Sequence, residues 1–220
     1  MSKQGNEIVS RRKIITSGGL LAGSAAFVAG TGLAGTAAAQ GGTYTESAAR
    51  QDVEYLRRWY GVATDLVGLS KSDNPGAFNE GRKIYRRIFT PDANITISGN
   101  PFVDPTLGTS PDQWADFVNA VLGETFLATQ HLIGTQVFEI DTLPSTSPAQ
   151  GGSTGHATGS SYLQAFHETH AQTCSVFNGT YFDKAKVATL RGGGMGWQIY
   201  DMNLVRVTGG QWTLTLPAPA

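Results

Sequence analysis

Helical patterning fills the early part of this chain and strand patterning the later part, and the two scarcely interleave. From Ala48 to about Leu69, Val53, Leu56, Tyr60, Ala63 and Val67 recur at three- and four-residue spacing, which predicts an amphipathic helix. Ser72-Asp73-Asn74-Pro75-Gly76 breaks it, and a second helical stretch runs from Ala77 to Ile88. Thr90-Pro91-Asp92-Ala93 reads as a turn into a short strand, Asn94 to Ser98, with Ile95 and Ile97 alternating. Ser110 and Pro111 have the residue types of an N-cap and a first helical position, ahead of the stripe Trp114, Phe117, Val118, Val121 and Leu122. Beyond that point the runs 128–141, 157–171, 174–190, 195–207 and 211–216 are strand-rich, and Leu143 to Thr158 is a polar, Pro- and Gly-containing connection. Helices followed by consecutive strands predict an α+β fold, a cone-shaped curved antiparallel sheet wrapped over N-terminal helices. Such a cone leaves a hollow suited to a small ligand with a few polar anchors.

The first 39 residues read as an address. Ser10-Arg11-Arg12-Lys13 is a paired-arginine start, a short Gly/Ala-rich apolar stretch follows from Leu20 to Gly35, and Ala37-Ala38-Ala39 has the small residues of a cleavage site. A stable membrane span needs ~20 strongly apolar residues, which this stretch lacks. The expectation is a twin-arginine signal peptide over 1–39, a linker over 40–47 and a single domain over 48–216, placed in the periplasm or outside the cell with no membrane contact after cleavage. One cysteine, Cys174, offers no internal disulfide, so the exported domain is held by its own core. A formal net charge of −1 gives no electrostatic reason to expect nucleic acid as partner.

Two histidines stand out because each sits within a strand-like run. His131 shares strand parity with Thr129, Ile133, Thr135 and Val137; His167 shares it with Gly159, Ser161, Leu163 and Ala165. Both sets are small or apolar around one imidazole, which suits a pocket wall better than a solvent face. Imidazole titrates near neutral pH, and an imidazole facing a carboxylate is a simple proton-transfer device. Asp65 is the candidate carboxylate, with ion pairing to Arg57, Arg58 or Lys71 as its alternative role. Tyr60 lies five residues earlier, offset about 140° around the helix, and core packing is as good a reading of it as chemistry. Arg206 has the opposite parity to Asp201 and Asn203, so either it or that pair points inward unless a bulge intervenes. No metal site is expected, because His167 and His170 fall on opposite faces of a strand. The Arg191–Gly196 run is a hairpin turn rather than a phosphate loop.

The helix carrying Trp59-Tyr60-Gly61-Val62-Ala63-Thr64-Asp65, the strand with Thr129-Gln130-His131 and the closing Gly196-Trp197-Gln198-Ile199 resemble the SnoaL-like branch of the nuclear transport factor 2-like superfamily over about 48–213. Two dehydratase types within it are similar at different residues. The scytalone dehydratase pattern is met by Asp65, His131 and His167, although Thr64 stands where that pattern has a tyrosine. The bile-acid dehydratase pattern is met by Tyr60, Asp65, His131 and Arg206, nine residues after Trp197.

The resemblance implies a lyase that needs no cofactor and acts on a small cyclic or polycyclic hydroxylated substrate. Asp65 and His131 would remove a proton, while His167, Tyr60 or Arg206 would protonate the leaving hydroxyl or hold a developing oxyanion. An isomerase or polyketide-cyclase-like enzyme and a non-catalytic binding protein are the alternatives on the same scaffold. Pairing into a homo-oligomer through the open sheet face is a further expectation of the resemblance.

Overall fold

The computed structural model describes residues 43–99, 106–171, 173–208 and 212–215, so the expected signal peptide lies outside the described residues. Helix α1 (Glu46–Val67) is started by the Thr45 side chain, which accepts from the Ala48 N–H. It begins two residues before the sequence reading placed it. The predicted stripe Val53, Leu56, Tyr60, Ala63 and Val67 is buried along its whole length, with Ala49 extending it. Helix α2 (Pro75–Ile88) has proline in its first turn and packs Phe78, Tyr85 and Ile88 into the same core.

Strand β1 (Phe89–Ser98) begins earlier than expected. Thr90–Ala93 is extended rather than turned, and the irregularity is absorbed as a register shift between Phe89 and Asn94. After β2 (Thr106–Gly108), Ser110 accepts from the Gln113 N–H and starts α3 (Pro111–Val118), as its cap sequence predicts. The expected stripe then fails at its end. Residues Asn119–Gly123 adopt the wider π-helical geometry, and Val121 turns out to solvent.

The remaining strands are β3 (Ala128–Thr142), β4 (His156–Glu168), β5 (Thr173–Thr189), β6 (Met195–Arg206) and β7 (Trp212–Thr215). Their order is β2-β1-β6-β5-β4-β3, with β7 also pairing β5. The sheet is not wholly antiparallel as the sequence predicted, because β1 lies parallel to β6. The β3–β6 meander starts at the far edge of the sheet and works back strand by strand, so β6 arrives last beside β1 and runs parallel to it. The result is a curved α+β sheet with helices on one face, in agreement with the predicted class.

Alternation along β4 and β5 tells the two faces apart. Ala157, Ser161, Leu163, Ala165 and His167 are buried on β4; Gly179, Tyr181, Asp183, Ala185 and Val187 are buried on β5. Opposite parity leaves Tyr162 and Phe182 exposed on the outer face with Leu132 and Val137. An open depression lined by Leu132, Tyr162, Asn178 and Val207 lies on this outer side.

One buried contact runs against expectation. Arg57 is not a surface residue available to Asp65. Its side chain is fully buried and grips Asp183 of β5 through both Nε (2.9 Å) and one terminal nitrogen. The guanidinium also lies 3.9 Å from the Tyr181 ring centroid and 4.5 Å from that of Tyr60. The planar fork satisfies both carboxylate oxygens while the rings cover its faces, so the charge is compensated without water. Removing one partner strands the other in the core. Asp183→Ala is therefore expected to destabilise the domain by about 3–5 kcal/mol, whereas Arg57→Met/Asp183→Leu recovers most of the loss; urea denaturation of the three proteins measures both.

Candidate active site

The last turns of α1 are pressed against β3, and the sequence at the contact is what permits it. A Cβ on Gly61 would stand 3.3 Å from the His131 carbonyl oxygen and 3.3 Å from Ile133 Cγ1. A Cβ on Gly68, just beyond the helix, would stand 2.1 Å from Thr129 Cγ2. Glycine at both points lets the helix and the strand approach backbone to side chain. Asp65 lies between them, one turn past Gly61, and its Oδ1 is 2.8 Å from His131 Nδ1. The Asp65 side chain keeps 32% of its surface exposed while that of His131 keeps 6%, so the pair sits at the edge of the interior with the carboxylate toward water.

Strand register brings in the second imidazole. Thr129 is directly opposite His167 across the β3–β4 ladder, and His131 is opposite the small Ala165. Thr129 Oγ1 comes within 2.8 Å of His167 Nδ1 and 3.5 Å of His131 Nδ1. The two imidazole centroids are 5.7 Å apart at an interplanar angle of 67°. Phe126, in the turn before β3, stacks on His167 at 4.8 Å. Burial lowers the His167 pKa from its ordinary 6.5 to about 3, with the neighbouring His131 adding to the shift, so His167 is neutral at pH 7.

The structure thus brings Asp65, His131 and His167 together on the inner face of the sheet. The parity expected for His131 holds for Thr129 and Ile133 but ends there. One extra residue on β3 between Ile133 and Gln136 reverses the alternation, so Thr135 and Val137 face out while Gln136, Phe138 and Ile140 take the inner side.

Tyr60 is placed in the core, its ring packed against Tyr85, Phe89 and Tyr181, and burial pushes its hydroxyl pKa up. Arg206 has the inward parity of Met202 and Leu204. Asp201 pairs instead with Lys184, and Asn203 accepts from Thr96 and Ser98. A shift between Lys184 and Ala185 sets that phase. Arg206 Nε donates to the Thr208 carbonyl at 2.7 Å, and its guanidinium lies 5.9 Å from the Phe177 centroid. It falls opposite Gly179, which pairs with Leu163, two inward positions along β4 from His167.

Sequence reasoning missed Phe126 and the role of Thr129 as a bridge. Thr129 was within reach, since it shares parity with His131. Phe126 lies outside any periodic segment and carried no signal.

A SnoaL-like domain model matches residues 82–216, more than half of the chain. The chain belongs to the SnoaL-like family. Solved structures agree on the fold of this SnoaL-like domain. A protein of Kribbella flavida, Kfla4162, aligns at 19% identity over 74% of this chain and 94% of its own, with a TM-score of 0.54. A hexachlorocyclohexane dehydrochlorinase, LinA type 2, aligns at 15% identity over 79% of this chain and 95% of its own, TM-score 0.55. The LinA type 3 dehydrochlorinase of Novosphingobium barchaimii gives 14%, 79%, 97% and 0.53. No curated protein matches the sequence at a significant level. Among the described residues, no helix is long and apolar enough to cross a membrane.

The depressed His167 pKa has a consequence for stability. Between pH 6.5 and about 3 the unfolded chain binds a proton at this position and the folded chain does not. Stability contributed by neutral His167 is therefore complete above pH 6.5 and is lost as pH falls, at no more than ~1.4 kcal/mol per unit from this group. Urea midpoints of the wild type are expected to fall more steeply from pH 6.5 to 4 than those of His167→Gln.

Proposed function

We propose that this SnoaL-like protein is a lyase that eliminates water from a small cyclic or polycyclic hydroxylated substrate, with His131 as the base. The observation that carries the reading is the 2.8 Å Asp65–His131 contact beside a buried neutral imidazole. The Asp65 carboxylate accepts from Nδ1–H, which leaves the Nε2 lone pair of His131 to take a proton from carbon next to an activating carbonyl. The electron pair released from that C–H bond forms the double bond as the C–O bond breaks. The hydroxyl group leaves with a proton returned from imidazolium Nε2, so the products are the alkene and one water. Asp65 stabilises the imidazolium in between.

Of the two tasks the sequence left open to His167, holding a developing oxyanion suits it better than protonating the leaving hydroxyl. A neutral imidazole does not deliver a full proton at pH 7, but it donates a hydrogen bond to an oxygen that gains charge. Burial under Phe126 strengthens that bond by excluding water. Tyr60 packs in the core and Arg206 lies further along the inner face, so neither belongs to the proposed proton path.

Elimination from a ring is also the chemistry named for the dehydrochlorinases that share the fold, and this likeness supports the reaction class rather than any particular leaving group. Export by the twin-arginine route is part of the same proposal, supported by Arg11-Arg12 and the small residues Ala37 to Ala39.

Incubation with a panel of cyclic β-hydroxy ketones tests the reading by mass spectrometry. A product lighter by one water is expected, and Asp65→Asn should retain the fold while losing about 10²- to 10⁴-fold in rate. Near-normal turnover by Asp65→Asn removes the pair from the mechanism. Conversion without change of mass points to an isomerase.

A further inference from the structure

The hydroxyl of Thr129 stands between two ring nitrogens of opposite demand. It lies 2.8 Å from His167 Nδ1 and 3.5 Å from His131 Nδ1. The second of these nitrogens is already committed. Asp65 Oδ1 is 2.8 Å from it, and an ionised carboxylate only accepts, so His131 Nδ1 carries a hydrogen whether the ring is neutral or protonated. A nitrogen that carries a hydrogen has no lone pair to receive the threonine proton. The Thr129 oxygen can take a weak second branch from it at 3.5 Å, while the Thr129 hydrogen is left for the nearer nitrogen, His167 Nδ1.

We infer that Thr129 is a positioning residue that sets the tautomer of His167, holding its Nδ1 as an acceptor and so placing the single ring hydrogen on Nε2. The catalytic meaning of this assignment rests on the elimination reading above; the assignment itself does not. The two imidazoles then present unlike atoms to a ligand, a bare Nε2 on His131 and an Nε2–H on His167. One hydroxyl and one carboxylate, read in sequence from Asp65 through His131 and Thr129 to His167, are enough to make identical side chains into a base and a donor. The neutral state that burial imposes on His167 keeps a second hydrogen off that ring. Thr129 is itself held from behind, since its Cγ2 occupies the space that a side chain on Gly68 would fill.

Two substitutions separate the hydroxyl from the packing. Thr129→Val keeps the methyl against Gly68 and removes the hydroxyl; Thr129→Ser does the reverse. Long-range proton–nitrogen correlation spectra of the full-length ¹⁵N-labelled chain at pH 7 report the tautomer of each of its four histidines, with His156→Gln and His170→Gln used for assignment. The wild type and Thr129→Ser are expected to show His131 with hydrogen on Nδ1 and His167 with hydrogen on Nε2. Thr129→Val is expected to shift His167 toward the Nδ1–H form or a mixture and to leave His131 unchanged.

An Nδ1–H pattern for His167 in the wild type overturns the inference without any variant. An unaltered His167 pattern in Thr129→Val overturns the role of Thr129. The readout needs no substrate, so the expected tautomers together with no turnover of any panel compound would sink the elimination reading alone. Turnover with His167 in the Nδ1–H form would sink the tautomer assignment alone.

Discussion

The approach of α1 to β3 is the constraint on which the site depends. Two glycines remove the side chains that would hold the helix away, and the carboxylate of Asp65 arrives over His131 as a consequence. Had the helix stood further out by the thickness of a methyl group, the 2.8 Å contact would open to a separation at which water bridges the two groups. The gap between helix and strand therefore governs the chemistry more directly than the identity of any one neighbour.

A second long-range contact keeps that approach in place. Arg57, two turns before Asp65 on the same helix, is tied to Asp183 on β5, and Tyr60 and Tyr181 cover the guanidinium. Nonpolar packing alone would let an amphipathic helix slide along a sheet, since apolar contact is not directional. A two-pronged ion pair has one geometry, so it sets both the rotation and the axial position of α1. Tyr60 belongs to this anchor. It shares the helix with Asp65, but an offset of about 140° directs it into the core while Asp65 stays at the rim.

Much of this arrangement is legible in residue order. The α1 stripe, the Ser110 cap, the long strands after residue 128 and the shared face of Gly159, Ser161, Leu163, Ala165 and His167 all follow from periodicity, because these segments repeat regularly enough for parity to hold. The exceptions share a cause. At the β3 bulge, at the shift in β6 and at the π-turn after Val118, one residue is inserted into a regular count, and every position beyond it changes sides. Gly134, a glycine inside a strand run, is a local sign that a bulge can form there, whereas nothing at Tyr200 announces an insertion. The parallel pairing of β1 with β6 is equally invisible, since strand partners are chosen by the whole sheet.

The chain's own order of residues thus determines an α+β domain with two inward imidazoles and a carboxylate at the end of its first long helix, because alternation and helical spacing are local properties. Pairing Asp65 with His131 rather than with Arg57, and setting Thr129 against His167, required the folded chain. Those contacts join residues 66 and 38 positions apart, and such distances close only when helix approach and strand register have both been fixed by the packing of the whole domain.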